Sequence, residues 1–71
     1  MKASFYLCID SMKTYVSKVT VTPEGDVETE LARDVKDAIA FKSELLATYC
    51  RNMLLESRNF KSNVSIIAVY K

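Results

Sequence analysis

The side chains of this sequence that could do chemistry are two cysteines and one pair of glutamates. Cys8 and Cys50 are far apart in the chain, and the sequence has no histidine. Neither a zinc cluster nor a Cys–His nucleophile can therefore be assembled. Glu28 and Glu30 are two positions apart, a spacing that places two carboxylates on one face of a strand. No pocket is predicted beside them, so the pair is interpreted as an acidic edge that repels other strands.

Catalysis is not indicated by the remaining composition. General acid–base chemistry near neutral pH most often uses histidine, and phosphate-binding loops need several glycines. This chain has no histidine and one glycine. We therefore predict a protein that is not an enzyme and that carries no cofactor and no metal. A weaker alternative is a subunit that completes an active site together with another chain.

The two cysteines are expected to be half-buried free thiols. The alternative is a Cys8–Cys50 disulfide, since a bridge from a strand to a helix can satisfy disulfide geometry. No apolar run approaches about 18 residues, so no membrane span is predicted. The apolar start is interrupted by Asp10 and Lys13, too early for a secretory signal. These features predict a cytoplasmic protein with reduced thiols.

Tyrosines and lysines support an alternative function, the binding of nucleic acid. Tyr6 and Tyr15 could offer stacking surfaces on a sheet, and lysines near the ends of that sheet could contact phosphates. The net charge is only +1, and no RNA-recognition aromatic motif is present, so this alternative is disfavoured. The lysines concerned are Lys2, Lys13, Lys18, Lys61 and Lys71.

These side chains are positioned by four strand-like segments and one helical region. Pro23 favours the second position of a type I turn and Gly25 can adopt a left-handed conformation, so TPEGD predicts a tight hairpin. The segments before and after this turn alternate apolar and polar residues, which is typical of half-buried strands. The predicted strands are residues 4–10, 14–22, 26–31 and 64–70.

The helical region between Asp34 and Arg58 is predicted as either one helix or two. Asp34 is a good N-cap, and Ser43 is a second one. A short helix to Phe41 followed by a longer helix from Ser43 is favoured over one continuous helix. A wide apolar stripe is expected to pack in the core. Its residues are Ile39, Phe41, Leu45, Leu46, Tyr49, Met53 and Leu54.

The predicted fold is a single α+β domain over residues 1–71 with the element order β-β-β-α-β. One helical layer covers one face of a four-stranded, mostly antiparallel sheet. The first and last strands are the most apolar, so they are placed together in the strand order 3-2-1-4. The fourth strand is expected to run parallel to the first, after a right-handed crossover.

The stretch DVKDAIAFKSELLA, residues 34–47, resembles a pattern of small proteins encoded by bacteriophages and prophages. In those proteins a β-meander is followed by an acidic cap, an alanine, a phenylalanine, a serine and then a helix. The resemblance covers about a fifth of the chain and implies a mobile-element origin. Some proteins of this kind bind host proteins, so it also implies an accessory or inhibitor role. The matching positions are Asp34, Ala38, Phe41, Ser43 and Ala47.

One helical layer leaves the second face of the sheet uncovered, although the first and last strands are apolar on both faces. Burying three to five such side chains gives on the order of 5–12 kcal/mol, comparable with the about 4–15 kcal/mol that association costs. We therefore predict a non-catalytic protein–protein interaction module that forms a homodimer or binds a protein partner through this face. The predicted interface residues are Tyr6, Cys8 and Val16, with Ile67 and Val69 or, alternatively, Ile66 and Tyr70.

Overall fold

The computed structural model describes residues 2–57 and 62–70 and shows an α+β fold. Within these residues four strands form one sheet in the order β3-β2-β1-β4, and one α-helix follows the third strand. The predicted fold class, element order and strand order are thus confirmed. The elements are β1 (Ala3–Ile9), β2 (Thr14–Val21), β3 (Val27–Ala32), α1 (Glu44–Glu56) and β4 (Val64–Tyr70).

The direction of β4 differs from the sequence prediction. β4 is antiparallel to β1, with Tyr70 opposite Ala3 and Val64 opposite Ile9, whereas the sequence predicts a parallel pair. After β3 the chain first returns to the start of β1, where Phe41 pairs with a residue of that strand. α1 then leads back to the end of β1, so β4 must run the opposite way. No right-handed crossover between parallel strands is formed.

The returning segment is inserted between β1 and β2. The Phe41 N–H donates to the Phe5 carbonyl at 2.8 Å, and the Phe5 N–H donates to the Phe41 carbonyl at 2.9 Å. The Ile39 N–H donates to the Val16 carbonyl at 3.1 Å. β2 has an irregularity between Val16 and Lys18 and pairs with β1 only near their shared turn. Because β2 diverges from β1, the backbone groups of Phe5 and Val16 lack a partner on the neighbouring strand. The inserted residues supply the hydrogen bonds to these groups.

The region after β3 forms a short turn and one helix, in agreement with the favoured break at Ser43. The Asp34 carboxylate accepts from the Lys36 N–H at 3.1 Å and caps a 3₁₀ turn over Val35–Asp37. The Ser43 hydroxyl accepts from the Leu46 N–H at 3.2 Å and begins α1. The predicted short first helix is therefore only this 3₁₀ turn.

The hairpin between β2 and β3 has the predicted tight turn. The Gly25 N–H donates to the Thr22 carbonyl at 2.9 Å, and the Thr22 N–H donates to the Asp26 carbonyl at 2.8 Å. Gly25 has φ of +89°, a left-handed conformation that glycine adopts without the strain of a Cβ atom. The turn fixes the register in which Val21 pairs with Val27.

The core lies between α1 and one face of the sheet. α1 packs on β4 and β1, and only Ala47 and Leu54 of the helix are buried. Leu7 and Ile9 of β1 are 0% and 1% exposed and form the centre of the core. The buried cluster consists of Leu7, Ile9, Val16, Val27, Ala47, Leu54 and Val64.

The outer side of α1 differs from the sequence prediction. Leu45, Leu46 and Tyr49 are expected in the core, but they are 79%, 56% and 74% exposed. With 3.6 residues per turn, the helix side centred on Ala47 and Leu54 is the one that meets the sheet. The apolar residues of α1 therefore occupy two sides of the helix, one against the sheet and one against solvent.

Candidate interaction surfaces

Tyr6 and Cys8 lie on the face of the sheet away from α1, as the sequence predicts. Their neighbours Leu7 and Ile9 belong to the core, and side chains alternate between the two faces of a strand. Tyr6 is nevertheless only 6% exposed and is not part of the core cluster. Tyr6 is therefore buried although it lies on the face away from α1.

β4 contributes Ile67 and Val69 to the same face. Ile67 is directly opposite Tyr6, whereas Ile66 is opposite Leu7 and packs against the core. The structure thus selects Ile67 and Val69 over the alternative pair. Both side chains are half-buried, so this face is apolar but less exposed than the sequence predicts.

Val16 does not lie on that face, and its prediction as an interface residue is wrong. Its side chain is 0% exposed within the core cluster. The irregularity between Val16 and Lys18 interrupts the alternation along β2, as a β-bulge does. Tyr15 pairs with Cys8 and shares its face, whereas Val19, beyond the bulge, packs against the core. A strict alternation of side chains along β2 would place Tyr15 and Val19 on the same face of the sheet. Because they lie on opposite faces, strict alternation does not describe this strand.

The two thiols are free and lie on opposite sides of the sheet. Cys8 is on the face away from α1, whereas Cys50 packs against the core from α1. The intervening sheet excludes the disulfide alternative. Burial raises the pKa of the Cys50 thiol; burial and, secondarily, the Asp10 carboxylate raise the pKa of the Cys8 thiol. Both thiols therefore stay protonated near neutral pH and are poor nucleophiles.

Glu28 and Glu30 are exposed on β3, an outer strand of the sheet, as the acidic-edge prediction requires. Lys18 Nζ lies 3.8 Å from Glu30 Oε2, and the Ser17 hydroxyl donates to the Glu30 carbonyl at 3.0 Å. Glu28 is opposite Thr20 on β2. Among the residues that the structure describes, no group of three or more His, Cys, Asp or Glu could hold a metal ion.

The residues proposed for nucleic-acid binding are not gathered into one basic stacking surface. Tyr6 is buried, so its ring is not free for a base. Lys18 is paired with a carboxylate on β3, and Lys2 and Lys13 adjoin opposite ends of β1. Two lysines of the set lie outside the described residues, Lys61 and Lys71.

The most exposed apolar side chains of α1 form one surface. Leu45, Leu46 and Tyr49 are each more than half exposed, and residues three and four apart are neighbours on a helix. Met53, four positions after Tyr49, is half-buried because it also packs against the core, and it borders this surface. An open hollow along it is lined by Tyr49, Met53, and two polar residues of the same helix. We call Leu45, Leu46, Tyr49 and Met53 the outer face of α1.

β4 is the second outer strand of the sheet, and half of its backbone groups point away from the protein. The Phe5 N–H and carbonyl both bond to Phe41 on the β2 side of β1. Antiparallel pairing alternates the direction of these groups along a strand. Tyr6 and its alternate neighbours therefore bond to β4, and the Asp10 N–H, which donates to the Asn63 carbonyl at 3.2 Å, continues this series.

The same alternation determines which backbone N–H and carbonyl groups of β4 point to β1 and which point outward. Ser65, Ile67 and Val69 are opposite the β1 residues that bond to β4, so their N–H and carbonyl groups point to β1. The intervening residues direct theirs outward, and no further strand lies beside β4 in residues 2–57 and 62–70. We call this side the open edge of β4. Its outward residues are Val64, Ile66, Ala68 and Tyr70.

Comparison of the chain with protein-family models, with curated proteins and with solved structures gives no match. Over the described part of the chain, no helix has the length and apolar character needed to cross a bilayer. A function must therefore be inferred from the surfaces themselves, namely the outer face of α1 and the edges of the sheet.

Proposed function

We propose that this chain is a non-catalytic protein-binding module whose partner binds to the outer face of α1. The observation that carries the proposal is the exposure of Leu45, Leu46 and Tyr49 on one turn of helix. Contiguous exposed apolar surface on a small protein usually marks an interaction site. The partner that fits is an amphipathic helix whose apolar stripe is bordered by basic side chains.

Helix packing suits the shape and the charge of this surface. Leu45, Tyr49 and Met53 recur every four residues, and such rows form the ridges that pack into the grooves of another helix. The charged residues of α1 are Glu44, Arg51 and Glu56, of which the two glutamates are exposed. They lie at the two ends of the helix, so lysines or arginines beside the apolar stripe of the partner complement them.

The magnitude of the apolar contribution predicts weak binding. A fully buried leucine or aromatic side chain contributes about 1.5–3 kcal/mol, so the three partly exposed side chains contribute about 3–6 kcal/mol together. Association costs about 4–15 kcal/mol. The apolar contribution exceeds the cost of association by about 2 kcal/mol at most, so the outer face of α1 supports a transient complex whose affinity depends on the surrounding contacts.

A synthetic peptide tests the proposal directly. A labelled amphipathic helix of about 20 residues, with a leucine stripe and flanking lysines, should bind the protein in fluorescence anisotropy. Leu45→Glu and Tyr49→Glu should each weaken binding at least about tenfold, since either change places a charge in the contact. Met12→Glu is the matched control, because Met12 is 58% exposed and lies in the turn between β1 and β2.

Two outcomes would contradict the proposal. One is binding of the peptide that the Leu45→Glu and Tyr49→Glu variants do not change while both keep the circular dichroism of the wild type. The other is equal affinity for a peptide of the same composition in scrambled order, because the apolar stripe is then irrelevant.

A role as a bacteriophage or mobile-element accessory protein or inhibitor belongs to the same proposal and is supported by the resemblance of residues 34–47. Residence in the cytoplasm is supported by the two free thiols, which suit a reducing compartment. Nucleic-acid binding remains the alternative prediction, with less support because Tyr6 is buried. Retention on heparin at low salt, lost at moderate salt, would favour that alternative.

A further inference from the structure

We infer that two copies of this chain join through the open edge of β4, antiparallel about a two-fold axis, so that two four-stranded sheets form one continuous sheet. The two-fold axis makes the contact isologous, with the same strand on both sides. The occupant of the open edge is thus a second copy of this chain. The inference uses β4 and does not depend on the outer face of α1.

The hydrogen-bonding groups of the open edge match themselves in one register. In an antiparallel pair, bonded residues direct their N–H and carbonyl groups toward each other. When Ile67 lies opposite Ile67 of the second copy, Val64 is opposite Tyr70 and Ile66 is opposite Ala68. Every outward residue then has a bonded partner. A shift by two residues leaves outward groups unpaired at the ends of the strand.

The composition of β4 leaves this edge without protection. Proteins commonly block an edge strand with charged residues, with proline or with a bulge. The sequence of β4, VSIIAVY, contains no charged residue, no proline and no glycine. β4 pairs regularly with β1 along its whole length, so its backbone is held straight for a further strand. An unprotected regular strand of this kind is a template for pairing with another chain.

The other edge of the sheet explains why the assembly closes at two copies. β3 carries Glu28 and Glu30, both exposed, and pairing two such strands would place carboxylates close together. Pairing β3 of one copy with β4 of the next would produce an open filament and would desolvate both glutamates against apolar residues. Pairing β4 with β4 consumes both unprotected edges, so no unprotected edge remains.

Side chains on both faces of the sheet support the pairing. On the face away from α1, Ile67 meets its counterpart, and Val69 extends the apolar strip. On the other face, Tyr70, which is 67% exposed, lies beside Val64 of the second copy. Cross-strand pairs of aromatic and β-branched residues are stabilising. Because α1 packs on β4 and β1, the two helices lie on the same side of the joined sheet.

Substitutions at Ala68 test the inference without touching the core. Ala68 is exposed, and its N–H points outward, so Ala68→Pro removes an outward donor and leaves the ladder with β1 intact. Ala68→Lys adds a charge of the kind that blocks natural edges. The wild type should sediment as a dimer that dissociates on dilution, and both variants should sediment as monomers. Val21→Lys is the control, because Val21 is 57% exposed on β2.

Hydrogen exchange of the wild type gives a second readout that needs no variant. The amides of Ile66 and Ala68 should exchange slowly in concentrated solution and faster in dilute solution, whereas the amide of Ile67 should be protected in both. A monomer at about millimolar concentration, with the Ile66 and Ala68 amides unprotected, would overturn the inference. A dimer that survives Ala68→Lys but dissociates with Leu45→Glu would also overturn it.

The proposal that α1 binds a helix and the proposal that β4 forms a dimer can be contradicted independently. Leu45→Glu should weaken peptide binding at least about tenfold and leave the dimer intact, whereas Ala68→Lys should abolish the dimer and leave peptide binding within about twofold, since the changes are on different surfaces. Loss of both properties in either variant would contradict the assignment of two separate surfaces.

Discussion

The two outer strands of this sheet, β3 and β4, differ in chemistry although each borders one other strand within the described residues. β3, VETELA, places two exposed glutamates on the face away from α1. β4, VSIIAVY, has no charge and lies under α1. One edge thus carries charges of the kind that discourage pairing with another chain, whereas the strand at the other edge carries none.

The largest effect is expected when the protected edge is opened as well. Replacing Glu28 and Glu30 together by valine removes the two carboxylates of β3 and gives the sheet two unprotected edges. The double variant should grow beyond a dimer into larger, concentration-dependent assemblies. Light scattering over a dilution series measures this growth, and Glu24→Val in the exposed turn between β2 and β3 is the control. A double variant that stays at the wild-type mass would show that the glutamates do not protect the edge.

A smaller but clear effect is expected from the contact that holds α1 over β4 and β1. Leu54 is 0% exposed, so Leu54→Ala should reduce the free energy of unfolding by about 2–5 kcal/mol. Leu45→Ala on the exposed side of the same helix should change it by about 0.5 kcal/mol or less. Urea unfolding followed by circular dichroism measures both. Equal losses for the two variants would contradict the assignment of the inner and outer sides of α1.

The ion pair between β2 and β3 should have a minor effect on stability. Lys18 Nζ is 3.8 Å from Glu30 Oε2, and both side chains are about two-thirds exposed. Lys18→Met should therefore change the free energy of unfolding by about 1 kcal/mol or less. The charge of the β3 edge becomes more negative, so the variant should remain no larger than the wild-type assembly. A loss comparable with that of Leu54→Ala in the same urea experiment would show that the pair has a structural role.

The smallest effect concerns pH. Burial raises the pKa of the Cys50 thiol above its ordinary value, so the folded state binds this proton more tightly than the unfolded state. The corresponding stability is complete at lower pH and is lost as pH rises from the unfolded toward the folded pKa. Cys50→Ala should make the thermal midpoint fall less steeply above about pH 9. If the thermal midpoints of the wild type and the variant fall in parallel as pH rises, Cys50 makes no pH-dependent contribution to stability.

The features that the sequence predicts correctly are those that local chemistry determines. Pro23 and Gly25 specify the hairpin between β2 and β3, and Ser43 specifies the start of α1, because a turn or a cap needs only a few neighbouring residues. The charges of Glu28 and Glu30 identify an edge strand in the same way. The apolar character of residues 64–70 places β4 beside β1, since both strands need an apolar neighbour.

The features that the sequence does not predict depend on contacts between distant segments. The side on which Val16 lies depends on a bulge, and the bulge accompanies the insertion of Ile39 and Phe41 beside β1. No residue near Val16 signals this insertion. The direction of β4 has the same cause, because the inserted segment carries the chain back before α1 begins. The exposure of Leu45 and Tyr49 is also nonlocal, since the narrow sheet under α1 can cover only one side of the helix.

The insertion of Phe41 beside Phe5 has a consequence for the order in which the protein is built. β1 is bordered on one side by a residue 36 positions later than Phe5, and on the other side by β4, where Ala3 pairs with Tyr70. Only the end of β1 near its turn can find its native neighbour early. Most of this strand therefore pairs only after residues 64–70 have been synthesised, and its many distant pairings favour slow folding.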